Sequence, residues 1–180
     1  MSGLEALLAR NRSFAATPAK ERVPAIPFLP NRQLYILTCI DPRVDPAAIL
    51  GLDLGDAIVA RTVGGRANAA FLDDLAWIIY LHRTKTPDAG WFEIVVIHHT
   101  DCGSALMADE DLRSGFVALG HDDALLRDTA VVEPAVTVPA DVQRIRNASF
   151  LPPEVVVSGY AYDVTTGLLE PVVPPTSTRL

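Results

Sequence analysis

The sequence predicts an α/β fold: a central, mostly parallel β-sheet flanked by helices, with an N-terminal arm that is part helix and part extended chain. Three observations carry this. Short apolar, β-prone runs alternate with stretches of helical periodicity, the pattern of βαβ units. Four prolines fall within residues 17–33 and separate a leucine-bearing N-terminal segment from the rest. Hydrophobic residues make up 49% of the 180 residues and charged ones 21%, a globular rather than disordered composition that suits one domain. Residues 1–33 are therefore expected as helix and Pro-rich arm, and residues 34–180 as the α/β domain.

The elements follow in order. Leu4, Leu7 and Leu8 share a stripe, so the first dozen residues predict an amphipathic helix. The prolines of residues 17–33 block helix interior and central strand, which predicts an extended arm. Its apolar residues Ile26, Phe28 and Leu29 suggest a packed arm rather than a loose tail. Leu34–Cys39 is short and apolar, a buried strand. Residues 40–46 (IDPRVDP) form a turn, and residues 47–50 a short helix closed by Gly51. Residues 57–61 predict a second strand, interrupted by Gly64-Gly65. Asn68 can cap a helix that runs to about Arg83, its broad apolar face supplied by Phe71, Leu75, Ile78, Ile79 and Leu81. Residues 91–98 (WFEIVVIH) are the clearest strand. Residues 103–119 have helical periodicity, residues 121–138 give no clear signal, and residues 140–148 predict a helix. Residues 154–162 (EVVVSGYAY) predict a strong strand, 163–167 a turn, and 168–173 an edge strand.

Several function classes drop out early. The formal charge of −7 disfavours gripping nucleic acid or an anionic membrane through bulk charge. No run approaches the roughly 20 apolar residues that cross a bilayer. The start carries Glu5, Arg10 and Arg12 among its leucines, unlike a secretion signal. Two cysteines are too few for a disulfide scaffold. A cytoplasmic protein with reduced thiols is expected.

Both cysteines lie where a parallel sheet gathers ligands, beyond the carboxyl ends of strands. Cys39 ends the first strand; His98, His99 and Cys102 follow the end of the WFEIVVI run, residues 91–97. If the two strands are neighbours, Cys39, His99 and Cys102 come within reach of one ion. Two thiolates and an imidazole suit Zn²⁺, and three protein ligands leave one tetrahedral position open, as in catalytic sites. Each residue alone also reads blandly, as a small buried apolar cysteine or a hydrogen-bonded histidine. A Cys39–Cys102 disulfide is the other alternative. The coincidence of both cysteines at strand ends, one with a histidine three residues before it, favours a metal site. Successive strand residues face opposite ways, so His98 and His99 cannot both serve. The spacing of His99 and Cys102 lets a turn fold both donors inward, and a helix N-terminus after Gly103 would favour the Cys102 thiolate. Two residues past Cys39 stands Asp41, and two further Arg43. The guanidinium can keep the Asp41 carboxylate anionic in a two-bond fork. Asp41 can then take a hydrogen bond from metal-bound water, or swing onto the metal as a fourth ligand.

These residues carry a family resemblance. Cys39-Ile40-Asp41-Pro42-Arg43 and His99-Thr100-Asp101-Cys102-Gly103 resemble the Cys-x-Asp-x-Arg and His-x-x-Cys pair of the β-class carbonic anhydrases. Residues 51–65 (GLDLGDAIVARTVGG) are similar to the strand and glycine-rich turn between the two motifs, and residues 156–169 to the closing strand and turn. About residues 30–170 are covered. The resemblance implies a zinc enzyme that interconverts carbon dioxide and bicarbonate by zinc-bound hydroxide. It implies Cys39, His99 and Cys102 as ligands, with Asp41 and Arg43 a dyad that gates the fourth zinc position, Asp41 entering it in the closed form. It also implies a homodimer or tetramer. Thr62-Val63 stand where many members have Asn-Ala, and Pro42 replaces a small residue. No counterpart of the plant-type pocket Gln is found, so the chain resembles the compact subgroup that lacks it.

Two other readings compete. One is a hydrolase of carbonyl sulfide or carbon disulfide on the same scaffold, since these linear molecules resemble carbon dioxide. The other is a non-catalytic zinc or thiol redox-sensing module using Cys39 and Cys102, against which the Asp41/Arg43 pair argues. A nucleotide-dependent oxidoreductase lacks support, because Gly64-Gly65 is not a G-x-G-x-x-G turn.

Overall fold

The computed structural model describes residues 3–22 and 29–177. Five strands form one sheet: β1 (Leu34–Cys39), β2 (Ala57–Thr62), β3 (Glu93–His99), β4 (Val156–Tyr162) and β5 (Leu169–Ser177). Their order is β2-β1-β3-β4-β5, the first four parallel and β5 antiparallel to β4 at the edge. Three prolines in β5, Pro171, Pro174 and Pro175, suit an edge position because proline cannot donate to a ladder. From β1 the chain steps to β2 on one side and later to β3 on the other. The strand order thus reverses between β1 and β3, and the crevice at their carboxyl ends is where such sheets bind ligands.

Strand alternation divides the core. On one face Tyr35, Leu37, Ile94, Val96 and Val157 pack with Phe71, Leu75 and Ile79 of α3 (Ala69–Lys85) and with Val138, Val142 and Ile145 of α6 (Pro134–Arg146). On the other, Ile36, Val95 and Ile97 pack with Val44 and with Ile49 of α2 (Pro46–Leu50). The helix α6 sits directly on β4 at Gly159, where an added Cβ would lie 2.3 Å from Val138 Cγ1.

Local chemistry sets the helix ends. Asp45 caps α2, accepting from the amide of Ala47, and Gly51 closes it in the left-handed conformation. Asn68 caps α3 through the amide of Phe71. The remaining helices are α1 (Gly3–Ala15), α4 (Glu110–Val117) and α5 (Asp123–Thr129). No helix among the described residues is long and apolar enough to cross a membrane.

The structure departs from expectation in four places. Residues 103–119 are not one helix: a 3-10 helix (Gly103–Ala108) ends at Asp109, whose carboxylate caps α4 through the amide of Leu112. Helix α6 begins at Pro134, not 140, and carries Pro139 inside it. The Pro-rich stretch is not wholly extended, since Pro18–Arg22 forms a 3-10 helix, with proline at the first position where no amide is needed. Trp91 and Phe92 precede β3 rather than belonging to it. Residues Ile26 and Phe28 lie outside the described residues, and Leu29 is half-buried. The leucine stripe of α1 finds no cover among the described residues: Leu4, Leu7 and Leu8 are 61%, 52% and 46% exposed.

Candidate metal centre

The parallel pairing of β1 and β3 puts Cys39 at the end of one strand beside His99 at the end of the other. The chain then turns sharply through Thr100 and Asp101. The amide of Thr100 donates to Tyr162 O (2.9 Å) and its hydroxyl accepts from Val164 N (3.1 Å), tying the turn to the end of β4. Asp101 has a positive φ of 52°, a conformation aspartate tolerates better than most residues, and this returns Cys102 toward His99. Cys39, His99 and Cys102 are all buried, and one donor atom from each lies within 4.8 Å of the others. The two sulfurs are 3.8 Å apart and not bonded.

A two-glycine turn closes the floor. Gly64 and Gly65 follow β2 with φ of 71° and 69°. A Cβ on Gly65 would sit 3.0 Å from the Cys39 amide nitrogen and 3.1 Å from Ile97 O, and one on Gly64 would sit 2.8 Å from Ser104 Oγ. Glycine is needed here for both backbone conformation and close approach.

The donors are poised for a cation. His99 Nδ1 lies 2.9 Å from Thr100 O, so that nitrogen carries the proton and Nε2 presents its lone pair. Among the described residues, His99 Nε2 is one of two buried side-chain polar atoms without a hydrogen-bond partner. A buried unsatisfied nitrogen is costly, and a metal would satisfy it. The two sulfurs are within hydrogen-bond reach of each other. Hydrogen bonding to Cys102, then burial, pushes the Cys39 thiol up. The Cys102 thiol is pushed down by hydrogen bonding from Cys39, against burial, with help from His99 and Ser104. Ser104 Oγ lies 3.2 Å from that sulfur. Burial lowers His99, but its interactions with Cys102, with help from Thr100 and Asp41, outweigh this and raise it overall. Two soft thiolates and one imidazole form a set that fits Zn²⁺.

Asp41 stands beside this triad, its Oδ2 3.9 Å from His99 Nε2. Arg43 holds it by a fork: Nε donates to Oδ1 (3.0 Å) and Nη2 to Oδ2 (2.8 Å), with the Arg43 amide adding a bond to Oδ1 (2.8 Å). These hydrogen bonds from Arg43 hold the Asp41 carboxyl down to about 2. Asp41, Arg43, Asp101, Cys102 and Leu106 line an open cleft of about 460 Å³.

His98 points to the opposite side of the sheet. Its Nε2 faces two acceptors, Gly65 O (3.1 Å) and Asp141 Oδ2 (3.2 Å), and its Nδ1 lies 2.7 Å from Thr137 Oγ1. Asp141 is wholly buried and pairs with Arg66 Nε at 2.5 Å. This network braces the two-glycine turn from behind. The structure therefore brings Cys39, Asp41, Arg43, His99 and Cys102 together. It adds Asp101 and Ser104, which the motif contains or adjoins, and Arg66 and Asp141, which nothing in the sequence links to the site.

A model of the carbonic anhydrase family matches residues 34–149, more than half of the chain. A β-carbonic anhydrase 1 of Mycobacterium tuberculosis is 29% identical over 153 residues, covering 83% of this chain and 87% of the relative. A carbon disulfide hydrolase of Acidianus is 29% identical over 172 residues, covering 82% and 80%. The crystal structure of a carbonic anhydrase from Streptococcus mutans superposes with a TM-score of 0.71 at 28% identity, covering 96% of this chain and 98% of that one. The chain belongs to the β-carbonic anhydrase family.

Proposed function

We propose that this protein is a zinc-dependent enzyme that interconverts carbon dioxide with bicarbonate and a proton. The observation that carries the reading is the buried Cys39/His99/Cys102 triad, with Asp41 parked at its edge by Arg43. Zinc held by these three donors supplies Lewis acidity, lowering the pKa of a water from about 15.7 toward about 7. The chain's own residues do the rest. Arg43 holds Asp41 by its fork, and with an ion on the three donors this would keep the carboxylate back and leave the cleft side of the ion to solvent. Asp41 stays anionic at any neutral pH, so its Oδ2 can accept a hydrogen bond and orient a water without retaining the proton. The apolar side chains of Leu106 and Val132 offer an uncharged wall for a neutral linear substrate.

The dyad favours catalysis over a purely structural or redox-sensing zinc site, which needs no displaceable carboxylate. A second reading, hydrolysis of carbon disulfide or carbonyl sulfide, has support from the Acidianus relative. The same metal chemistry serves both, so side-by-side turnover decides. Purified zinc protein is expected to hydrate carbon dioxide faster than it consumes carbon disulfide or carbonyl sulfide. Asp41→Asn is expected to keep its zinc and lose about 100-fold in hydration, within the usual range for a positioned acid–base group. A carbon disulfide or carbonyl sulfide rate far above the carbon dioxide rate would transfer the assignment to the hydrolase. Two free, buried thiols suit a reducing compartment such as the cytoplasm. The exposed leucines of α1 suit a homodimer or tetramer.

A further inference from the structure

Arg43 is gripped on two edges. Asp41 occupies its Nε/Nη2 edge. At its adjoining Nη1/Nη2 end, Nη1 donates to Asp101 Oδ2 (2.7 Å) and the second N–H of Nη2 donates to the Asp101 carbonyl oxygen (2.8 Å). The two carboxylates use different N–H groups, so they do not compete for a donor. The Asp101 grip is unusual in its origin. One residue supplies both acceptors, side chain and carbonyl, from a backbone held at φ 52°. That residue lies in the turn between His99 and Cys102, so Arg43 is tied to the segment that carries two of the three metal donors. Without this tie, the Arg43 side chain, 46% exposed, is paired to Asp41 alone, and the pair can move together.

We propose that Asp101 is a positioning residue that fixes Arg43 in the orientation required to hold Asp41 away from the fourth metal position. The proposal rests on the functional reading of the triad and dyad given above. Asp101 touches neither substrate nor metal in this role; it acts through Arg43 on Asp41. Its loss loosens the fork and lets the Asp41 carboxylate compete for the open position. The predicted sign is distinctive. Removing a nearby negative charge would by itself tighten the binding of an anion at that position, whereas releasing Asp41 weakens it.

The test uses cobalt-substituted full-length protein and azide as the probe, followed by the cobalt absorption bands. Asp101→Gly removes the carboxylate, retains the backbone carbonyl and carries no penalty at positive φ; Asp101→Asn keeps an acceptor oxygen but not the charge. The Kd for azide is expected to rise about three- to fivefold in Asp101→Gly, the scale of a solvent-facing charge-assisted contact, and less in Asp101→Asn. In an Asp41→Ala background the competitor is gone, so Asp101→Gly is expected not to raise the Kd, a non-additivity that a simple folding defect would not produce. An unchanged or lowered Kd in Asp101→Gly, with normal azide binding by the wild type, overturns the Asp101 proposal alone. A wild-type cobalt protein with no thiolate-to-cobalt band overturns the site reading itself, and the positioning role with it.

Discussion

At the scale of single residues, this site is governed by which atoms are left unsatisfied and which are held. His99 has one nitrogen committed to the Thr100 carbonyl and the other facing two sulfurs. The carboxylates divide by environment. Asp41 is at the cleft wall and is kept ionised by Arg43. Asp141 lies in the core, where burial raises its pKa, but hydrogen bonds from His98 and Arg66 outweigh this and depress it. A depressed carboxyl contributes stability that is full above its unfolded pKa of about 3.9 and fades as pH falls through the folded value. Asp141→Asn is therefore expected to cost about 2–4 kcal/mol at pH 7, since it leaves the buried Arg66 charge with only the more distant Asp128 carboxylate at 3.7 Å. Urea unfolding at pH 7 and pH 3 checks this: the gap between wild type and variant should shrink at the lower pH. A gap that stays constant or widens would contradict the pairing. The sequence exposed Cys39, His99, Cys102, Asp41 and Arg43 because local spacing and strand ends suffice to place them. It could not expose Asp141 or Arg66, because their role depends on α6 crossing β3, a contact between residues about 40 to 75 positions apart.

At the scale of elements, the strands and the Asn68 cap were legible and the region between β3 and β4 was not. Leu34–Cys39 reads directly as a strand, and Asn68 marks the start of α3. Residues 103–119 keep helical periodicity, yet Asp109 ends one helix and caps the next, since its carboxylate competes for backbone donors. Pro139 argues for a boundary by local rules, but burial of Val138, Val142 and Ile145 against the sheet outweighs one missing hydrogen bond. The two-glycine turn is the element on which the site leans hardest. Gly65→Ala would force an alanine to φ 69° with its Cβ against the Cys39 amide. The expected loss is about 1–3 kcal/mol of stability together with weaker zinc retention, read by thermal unfolding and chelator competition. Unaltered zinc retention would show that the turn does not set the position of Cys39.

At the scale of the whole molecule, the reversal of strand order between β1 and β3 is what turns two distant motifs into one centre. The uncovered stripe on α1 belongs to this scale too. Light scattering is expected to give a mass at least twice the 19.4 kDa of one chain, and removal of residues 1–22 to lower it. A monomeric full-length chain would rule out an arm that embraces a second copy. The central claim, that Cys39, His99 and Cys102 share one cation, is tested most directly by X-ray absorption at the zinc edge of the purified protein. Two sulfur scatterers at about 2.3 Å and nitrogen or oxygen at about 2.0–2.1 Å, with one zinc per chain, are predicted. A shell without sulfur, or protein that retains no zinc, would contradict it.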